Sequence, residues 1–460
     1  MNPTVVILAA GLGTRMKSGL AKALHPLAER PLIQHVLKAV SGIHPAKSIV
    51  VLGHQAHKVQ EVLSDSGVTV VIQAEQLGTG HAVQQTTKSI SAFSGPVLIL
   101  CADTPLVRES TLQAVLDHHT KSKAAVTVLT TTVENPFGYG RIVRKGSRVQ
   151  RIIEEKDATA SQKKIREVNT GIYCFNRDFL LSSLVSLGKN NAQGEYYLPD
   201  TVALAEKKKK IVTALVCQDP DEVMGINSRY DLSRAEAIMR NRINKTLMLN
   251  GVTMLDPDTI FVGSDVSVGK DVVLYPGVRL QGKTMIGDGC TIYPGSRIAD
   301  CVLKNNVTVK DYCVIEESEI ASGASLGPFA HIRPKSVILE NARIGNFVEI
   351  KKTRIGKGSK ASHLSYIGDS IVGENVNIGA GVITCNYDGF EKHATIIEDN
   401  VFVGSDAQLV APVKIGHDAV IAAGATITRD VPADALAISR VPQSNREEYA
   451  SRRKQGKQKH

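Results

Sequence analysis

From residue 260 onward branched aliphatic side chains return in runs at intervals of six. Ile320, Leu326, Ile332, Ile338, Ile344 and Ile350 keep the interval without a miss, and so do Ile397, Val403, Leu409, Ile415, Ile421 and Ile427. Ile260, Val266, Val272 and Val278, then Ile286, Ile292 and Ile298, carry it upstream. An α-helix repeats at about 3.6 residues and a half-buried strand at about 2, so neither produces this period. Short strands wound into flat-sided coils do, with each sixth residue pointing into one continuous core. The pattern therefore predicts a parallel β-helix over roughly half the chain. Crossover statistics alone would give it a right-handed winding.

The preceding half, residues 1–227, reads as an α/β domain, Rossmann-like with a mainly parallel sheet. Val5–Ala10, Ser48–Leu52, Val68–Ile72, Val97–Cys101 and Ala125–Thr130 are short, apolar, β-branched runs, and helical stretches such as Leu32–Val40 and Thr111–His119 lie between them. Alternation of this kind builds a parallel sheet, which binds ligands at the carboxyl ends of its strands. Arg229 to Leu249 contains neither Pro nor Gly, so residues 228–250 read as one linking helix that ends at Gly251. The β-helix domain then takes residues 251–460. Its basic tail from about residue 451 (Arg452, Arg453, Lys454, Lys457, Lys459) has no apolar residues to pack and is expected to be disordered.

Composition excludes several classes. No run approaches the roughly 18 apolar residues of a membrane span, and Val5–Ala10 is too short and lacks the basic leader of a signal peptide. Membrane insertion is not expected. The 7 cysteines form no CxxC pair, which points to a reduced, cytoplasmic protein without a zinc or disulfide frame. Net charge is +10, yet aromatic residues are only 4% and Trp is absent, so no stacking platform for nucleic acid is visible. Small phosphorylated ligands account for the charge without it.

The first strand runs directly into Leu8-Ala9-Ala10-Gly11-Leu12-Gly13-Thr14-Arg15-Met16, with Lys22 six residues further on. Glycines let backbone N–H groups approach an anion, and Arg15 adds charge. The spacing is neither a dinucleotide fingerprint nor a Walker A loop. Together with Gln73-Ala74-Glu75-Gln76-Leu77-Gly78-Thr79-Gly80-His81-Ala82, Cys101-Ala102-Asp103-Thr104-Pro105-Leu106, Phe137-Gly138-Tyr139-Gly140-Arg141, Glu154-Glu155-Lys156-Asp157, Asn169-Thr170-Gly171 and Gly225-Ile226-Asn227, this loop resembles the sugar-nucleotide pyrophosphorylases, or nucleotidyltransferases. With the hexads added, the resemblance covers nearly the whole chain. It extends to the bacterial bifunctional family that joins N-acetylglucosamine-1-phosphate uridylyltransfer to glucosamine-1-phosphate N-acetyltransfer. Two positions depart from the family pattern: Ala21 stands where proline usually precedes the lysine, and Ala102 where glycine usually precedes the aspartate.

For the first domain the resemblance implies UTP and N-acetylglucosamine-1-phosphate as substrates and Mg²⁺ as cofactor. Leu8, Ala9, Gly11, Arg15 and Lys22 are expected on the phosphates and Gln73, Gly78 and Thr79 on the uracil. Gly140, Glu154, Asn169 and Asn227 are expected on the sugar side, with Asp103 and Asn227 as metal ligands. Carboxylate and amide oxygens suit Mg²⁺, although Asp103 ahead of Thr104-Pro105 also reads as a helix N-cap.

In the second half the informative places are where the period fails. Ile350 to Ile355 is one residue short, and Cys385-Asn386-Tyr387-Asp388-Gly389-Phe390-Glu391-Lys392-His393 interrupts the repeat. Polar insertions in a solenoid often form its binding face. If a coil takes about three hexads, Arg333 and Lys351 stack about 4.8 Å apart on adjacent turns, a costly pair of cations unless an anion lies between them. His363 has the residue type suited to removing an amine proton near neutral pH.

For this half the resemblance implies glucosamine-1-phosphate and acetyl-CoA as substrates, His363 as catalytic base, and Arg333, Lys351, Tyr366, Asn377 and Lys392 on the sugar phosphate. Ala380, Asn386, Tyr387, Ser405, Ala423 and Arg440 would hold acetyl-CoA. A homotrimer and a left-handed winding are implied as well. Cys385 raises an acetyl-cysteine route, but its immediate sequence supplies no base, so direct attack of the amine is the expectation. Two other readings stand beside the bifunctional one: a monofunctional nucleotidyltransferase with a non-catalytic β-helix, and a non-catalytic sugar-nucleotide sensor.

Overall fold

A computed structural model describes residues 2–457. The chain divides into two compact units, Met1–Arg242 and Ile243–His460, and the division falls inside one long helix, Arg229–Leu249.

The first unit is built on strands β1 (Thr4–Ala9), β2 (Lys47–Leu52), β3 (Thr69–Ile72), β4 (Val97–Cys101), β5 (Val126–Thr132), β6 (Arg141–Lys145), β7 (Arg148–Ile153), β8 (Glu167–Phe175) and β9 (Val212–Cys217). Their order across the sheet is β9-β5-β8-β4-β1-β2-β3, with the β6–β7 hairpin attached to β8. β8 alone on that path runs antiparallel to its neighbours. β1, β2 and β4 are buried on both faces, which is why Val5, Val6, Ile7 and Leu98, Ile99, Leu100 form unbroken apolar runs. From β1 the chain builds outward to β2 and β3, then returns to β4 on the other side of β1. That reversal opens a crevice at the carboxyl ends of β1 and β4, the usual ligand position in such sheets.

The second unit stacks short parallel strands into three sheets of 11, 10 and 9 strands, visited in rotation: a parallel β-helix. The first face runs from Thr253–Met254 to Leu436–Ala437, the second from Phe261–Val262 to Thr426–Ile427, and the third from Ser267–Val268 to Val413–Ile415. The hexad residues fill one continuous core, where only Val266 of the upstream series is partly exposed. Some coils take 18 residues (Ile332 pairs with Ile350) and others 17 (Ile350 pairs with Ile367), so the slip after Ile350 is simply a shorter coil. The interruption after Thr384 is an insertion carried on one coil, since Val372 pairs with Ile397. Tight corners place Asn341, Asn375, Asn400, Asp406 and Asp418 at positive φ, which short polar side chains tolerate best.

The tail departs from expectation. Tyr449–Lys457 is helical rather than disordered. Its Arg452–Glu448 pair is local and exposed, and residues 458–460, Lys459 among them, lie outside the described residues.

Candidate active sites

A cleft of about 420 Å³ opens where β1 and β4 end. Leu8, Ala9, Gly11, Arg15, Lys22, Gln73, Gly78, Thr79, Asp103 and Asn227 all line it, so the sequence-predicted phosphate, base and metal residues converge. Gly13 lets the loop close: it sits at φ 62°, and a Cβ there would stand 2.9 Å from Lys22 Cβ. Ala21 donates its N–H to Gln55 Oε1 at 3.2 Å, a bond the usual proline would forfeit. Ala102 donates to Leu8 O at 2.9 Å and is not among the residues at positive φ, so glycine's freedom is not needed there.

Asp103 is not a helix N-cap, because the next helix begins at Glu109. Its carboxylate instead receives the Lys22 ammonium. Lys22 also donates to Asn227 Oδ1 at 2.7 Å, and Arg15 donates to the same oxygen at 2.8 Å. The two oxygens expected to hold a metal therefore already converge on a cation. A protein contribution of two hard oxygens suits Mg²⁺, which takes its remaining ligands from phosphate and water. Gln73 is buried, and its Nε2 donates to Gly78 O at 3.1 Å, which leaves Oε1 as the end able to accept.

Gly140, Glu154 and Asn169 form a separate group beside this wall. Asn169 N donates to Gly140 O at 2.9 Å, and a Cβ on Gly140 would lie 3.0 Å from Glu154 Oε1. Burial, reinforced by the carboxylates of Asp157 and Asp200, pushes Glu154 up to about 7. The hydroxyl of Tyr197, in the field of the same carboxylates, is buried without a hydrogen-bond partner among the described residues. Tyr197 was not singled out from sequence, where nothing distinguishes it from a core tyrosine.

On the β-helix the expected residues fall into two groups. Ile344, Ala361, Ile378, Val403 and Ile421 stack through the first face. Two residues beyond each of them lie Asn346, His363, Ala380, Ser405 and Ala423, which form one column along a corner. Main-chain groups zip the lower part of this column: Asp406 N donates to Ala380 O at 2.7 Å and Gly424 N to Ser405 O at 2.8 Å. Arg440 closes it by donating to Ala423 O at 2.5 Å. His363 Nδ1 lies 2.6 Å from Asn346 Oδ1. A carbonyl oxygen only accepts, so Nδ1 carries the proton and the lone pair of the neutral ring is on Nε2. Asn346 was missed by sequence reasoning.

The second group sits at the far end of the second-face strand Tyr366–Gly368. Arg333 and Lys351 lie on adjacent coils as expected, but they need no external anion to offset their charges. Arg333 pairs with Glu349 at 2.8 Å and Lys351 with Asp369 at 2.9 Å, so each cation has its own carboxylate. The hydrogen bond to Asp369 raises Lys351, and the adjacent Lys351 ammonium lowers Lys392. Asn386 joins this group, donating to Asp369 and, at 3.4 Å, to Tyr366 OH. Asn377 lies instead on the first face, paired with Lys360 and Phe402. Tyr387 is 59% exposed on the insertion, its OH donating to Gly389 O at 2.6 Å. No side-chain hydrogen bond or ion pair joins the His363 column to the Lys351 group among the described residues.

A nucleotide cleft on a mixed α/β sheet followed by a β-helix with two polar corner sites defines a nucleotidyltransferase joined to a hexapeptide-repeat transferase. Residues 5–168 match the model of the MobA-like NTP transferase domain, residues 394–429 that of the bacterial transferase hexapeptide (six repeats), and residues 261–338 that of the GMPPB C-terminal domain. The hexapeptide match agrees with a left-handed winding. The "Bifunctional protein GlmU" of Pelobacter propionicus is 51% identical over 455 residues, spanning 98% of this chain and 99% of that protein. Proteins of the same name from Trichlorobacter lovleyi and an Exiguobacterium species are 52% and 48% identical, over 96% and 98% of this chain and 96% and 100% of theirs. The chain belongs to the GlmU family.

Proposed function

We propose that the α/β unit transfers UMP from UTP to N-acetylglucosamine-1-phosphate, releasing pyrophosphate, and that the β-helix acetylates glucosamine-1-phosphate with acetyl-CoA. The product, UDP-N-acetylglucosamine, is a precursor for peptidoglycan and lipopolysaccharide. The observation that carries this reading is that both constellations, Asp103 with Asn227 and His363 with Asn346, are intact in one chain that matches bifunctional relatives from end to end. A non-catalytic β-helix is not favoured, because relatives that match over nearly the whole chain are named as bifunctional. A sensor would be expected to have lost Asp103 or Asn227.

In the first reaction a phosphate oxygen of the sugar attacks the α-phosphorus of UTP, and the bond to the β-phosphate oxygen breaks. The attacking phosphate is already an anion, so the protein's task is alignment and charge cancellation rather than deprotonation. Arg15, Lys22 and the loop N–H groups stabilise the departing pyrophosphate. Asp103 and Asn227 would hold Mg²⁺, which when bound would supply further neutralisation of phosphate charge. Gln73 Oε1 accepts the N3–H of uracil; cytosine has no hydrogen there, which gives the site a reason to reject it.

In the second reaction the C2 amine attacks the thioester carbonyl, the carbon–sulfur bond breaks, and coenzyme A leaves as thiol. The amine sheds a proton to His363 Nε2, which returns it to the departing thiolate, while Asn346 fixes the ring. Ala380, Ser405, Ala423 and Arg440 continue the His363 column and provide a track for coenzyme A, with Tyr387 and Asn386 at the acetyl end. Arg333, Lys351, Tyr366 and Lys392 take the sugar phosphate, with Asn377 joining from the first face. His363 and the Lys351 group stand at opposite ends of one strand, which supports a site shared between copies of the chain. An exposed apolar stripe at the His363 corner, where Phe329 stacks on Tyr312 at 5.4 Å and on Phe347 at 5.2 Å with Leu364 next, supports a homotrimer. No helix among the described residues is long and apolar enough to cross a membrane, and nucleotide and acetyl-CoA substrates fit a cytoplasmic location.

The test measures thiol release from acetyl-CoA with glucosamine-1-phosphate, and UTP-dependent pyrophosphate release, in wild type and His363→Ala. Loss of thiol release alone is the expected result. Thiol release unchanged in the variant removes His363 as base, and none in wild type returns the β-helix to a structural role. A stable thioester on Cys385 after incubation with acetyl-CoA alone would replace direct attack.

A further inference from the structure

Asp369 belongs to neither set of expected residues, yet it is the hub of the Lys351 group. Its side chain is 9% exposed. It accepts from Lys351 Nζ at 2.9 Å and from the Asn386 amide, and Lys352 Nζ stands 3.8 Å away. Burial alone would raise its carboxyl. The hydrogen bonds from Lys351 and Asn386, with the charges of Lys351 and Lys352, outweigh burial and hold it below the usual range, so it is an anion at neutral pH. The corner is built for this closeness. A Cβ on Gly368 would fall 2.5 Å from Tyr366 OH and 2.8 Å from Asn386 Nδ2, so only glycine lets the phenol and the amide close over the carboxylate.

A carboxylate anion accepts and never donates, so the end of Asn386 facing Asp369 is its NH₂. The amide can then present only its carbonyl oxygen to a ligand. A carbonyl acceptor beside the Lys351 and Arg333 cations suits a molecule that carries an anion at one end and an N–H group near it. We infer that Asp369 is a positioning residue for acetyl transfer. It locks Asn386 with Oδ1 outward to accept from the substrate amine, and it shares the Lys351 charge until the sugar phosphate arrives. The inference rests on the acetyl-transfer reading above.

These two duties predict a split between turnover and substrate affinity. In full-length Asp369→Asn the neighbouring amide is free to flip, and Lys351 has lost its internal anion. The kcat for thiol release should fall about tenfold to a hundredfold, the scale of a misaligned reacting group, while KM for glucosamine-1-phosphate stays level or falls. Inorganic phosphate, used as a probe, should inhibit the variant several-fold more strongly than wild type, with pyrophosphate release from UTP unchanged. A purely structural carboxylate would not strengthen phosphate inhibition. A wild-type kcat, or a KM that rises at constant kcat, overturns the inference. If Asp369→Asn proves insoluble, Asp369→Glu carries the test: it keeps the charge but displaces the amide, so kcat should fall at constant KM, and a wild-type kcat overturns the inference equally. Absence of thiol release in wild type would strike the acetyl-transfer reading instead.

Discussion

Lys22 places its ammonium on the Asp103 carboxylate and, 2.7 Å away, on Asn227 Oδ1, so one side chain spans the two oxygens expected to hold the metal. Lys22 and a divalent cation therefore compete for the same donors until nucleotide phosphates draw the lysine away. Lys22→Gln should bind Mn²⁺ more tightly than wild type in the absence of nucleotide, by about tenfold, or about 1.4 kcal/mol. The measurement is the free Mn²⁺ paramagnetic signal. The same variant should lose about a hundredfold in uridylyl transfer, the scale of removing one donor from a developing anion. Unchanged Mn²⁺ binding would mean that Lys22 does not stand in the metal's place.

The β-helix was legible because its core repeats: one residue type at one interval encodes a register, and Ile350 needs no partner beyond the coil above and below. The linking helix was equally readable, since a run without Pro or Gly leaves few alternatives. Polar partners were harder, because they depend on coil length to the residue. Three full hexads would set Gly345 beside His363, and only the 17-residue coil brings Asn346 there. Asp369 follows Lys351 by three full hexads, one residue beyond Gly368, which pairs with Lys351 on this coil, and was within reach of the same reasoning. It passed unnoticed because a lone aspartate at a turn reads as solvated. In the α/β unit the motifs located the cleft, but Tyr197 and the carboxylates around Glu154 meet only through folding.

Glu154 gives a pH dependence. Its pKa rises from 4.5 to about 7 on folding, so between these values the folded chain keeps a proton that the unfolded chain has lost. Unfolding then releases a proton, and stability falls as pH rises through that window, by up to about 3 kcal/mol. Glu154→Gln cannot ionise. Its apparent Tm should match wild type near pH 4 and exceed it at pH 8, as read by scanning calorimetry of both proteins. A Tm difference that is the same at both pH values would place the cost elsewhere.

Ile350 is fully buried in the β-helix core. Ile350→Ala should cost about 2 to 5 kcal/mol through lost burial and the cavity left behind. In a solenoid that loss is felt first by the coil itself and its neighbours, here those carrying Lys351, His363 and Asp369. On graded heating the variant should lose thiol release well before pyrophosphate release. Simultaneous loss would mean that the two units melt as one.

The terminal helix Tyr449–Lys457 offers a contrast. Among the described residues its ion pair of Arg452 with Glu448 is exposed, and such pairs contribute at most about 1 kcal/mol. Truncation after Ser451 should leave both activities and the apparent Tm within error of wild type, and a loss of either would give the basic tail a role in one of the sites.

The contact between His363 and Asn346 can be read through the pH profile. Asn346→Leu removes the acceptor, frees the tautomer and should lower kcat for thiol release about tenfold or more. Asn346→Asp acts in the opposite electrical sense. A carboxylate at 2.6 Å would favour the imidazolium, so the base would be occupied by a proton at neutral pH. The rising limb of its kcat profile should therefore move to higher pH by about one unit, with activity at pH 7 reduced and recovered by about pH 9. Binding should change little in either variant, because the Asn346 oxygen is already engaged by the ring. If the limb of Asn346→Asp coincides with wild type, the proton leaving the amine does not pass to His363.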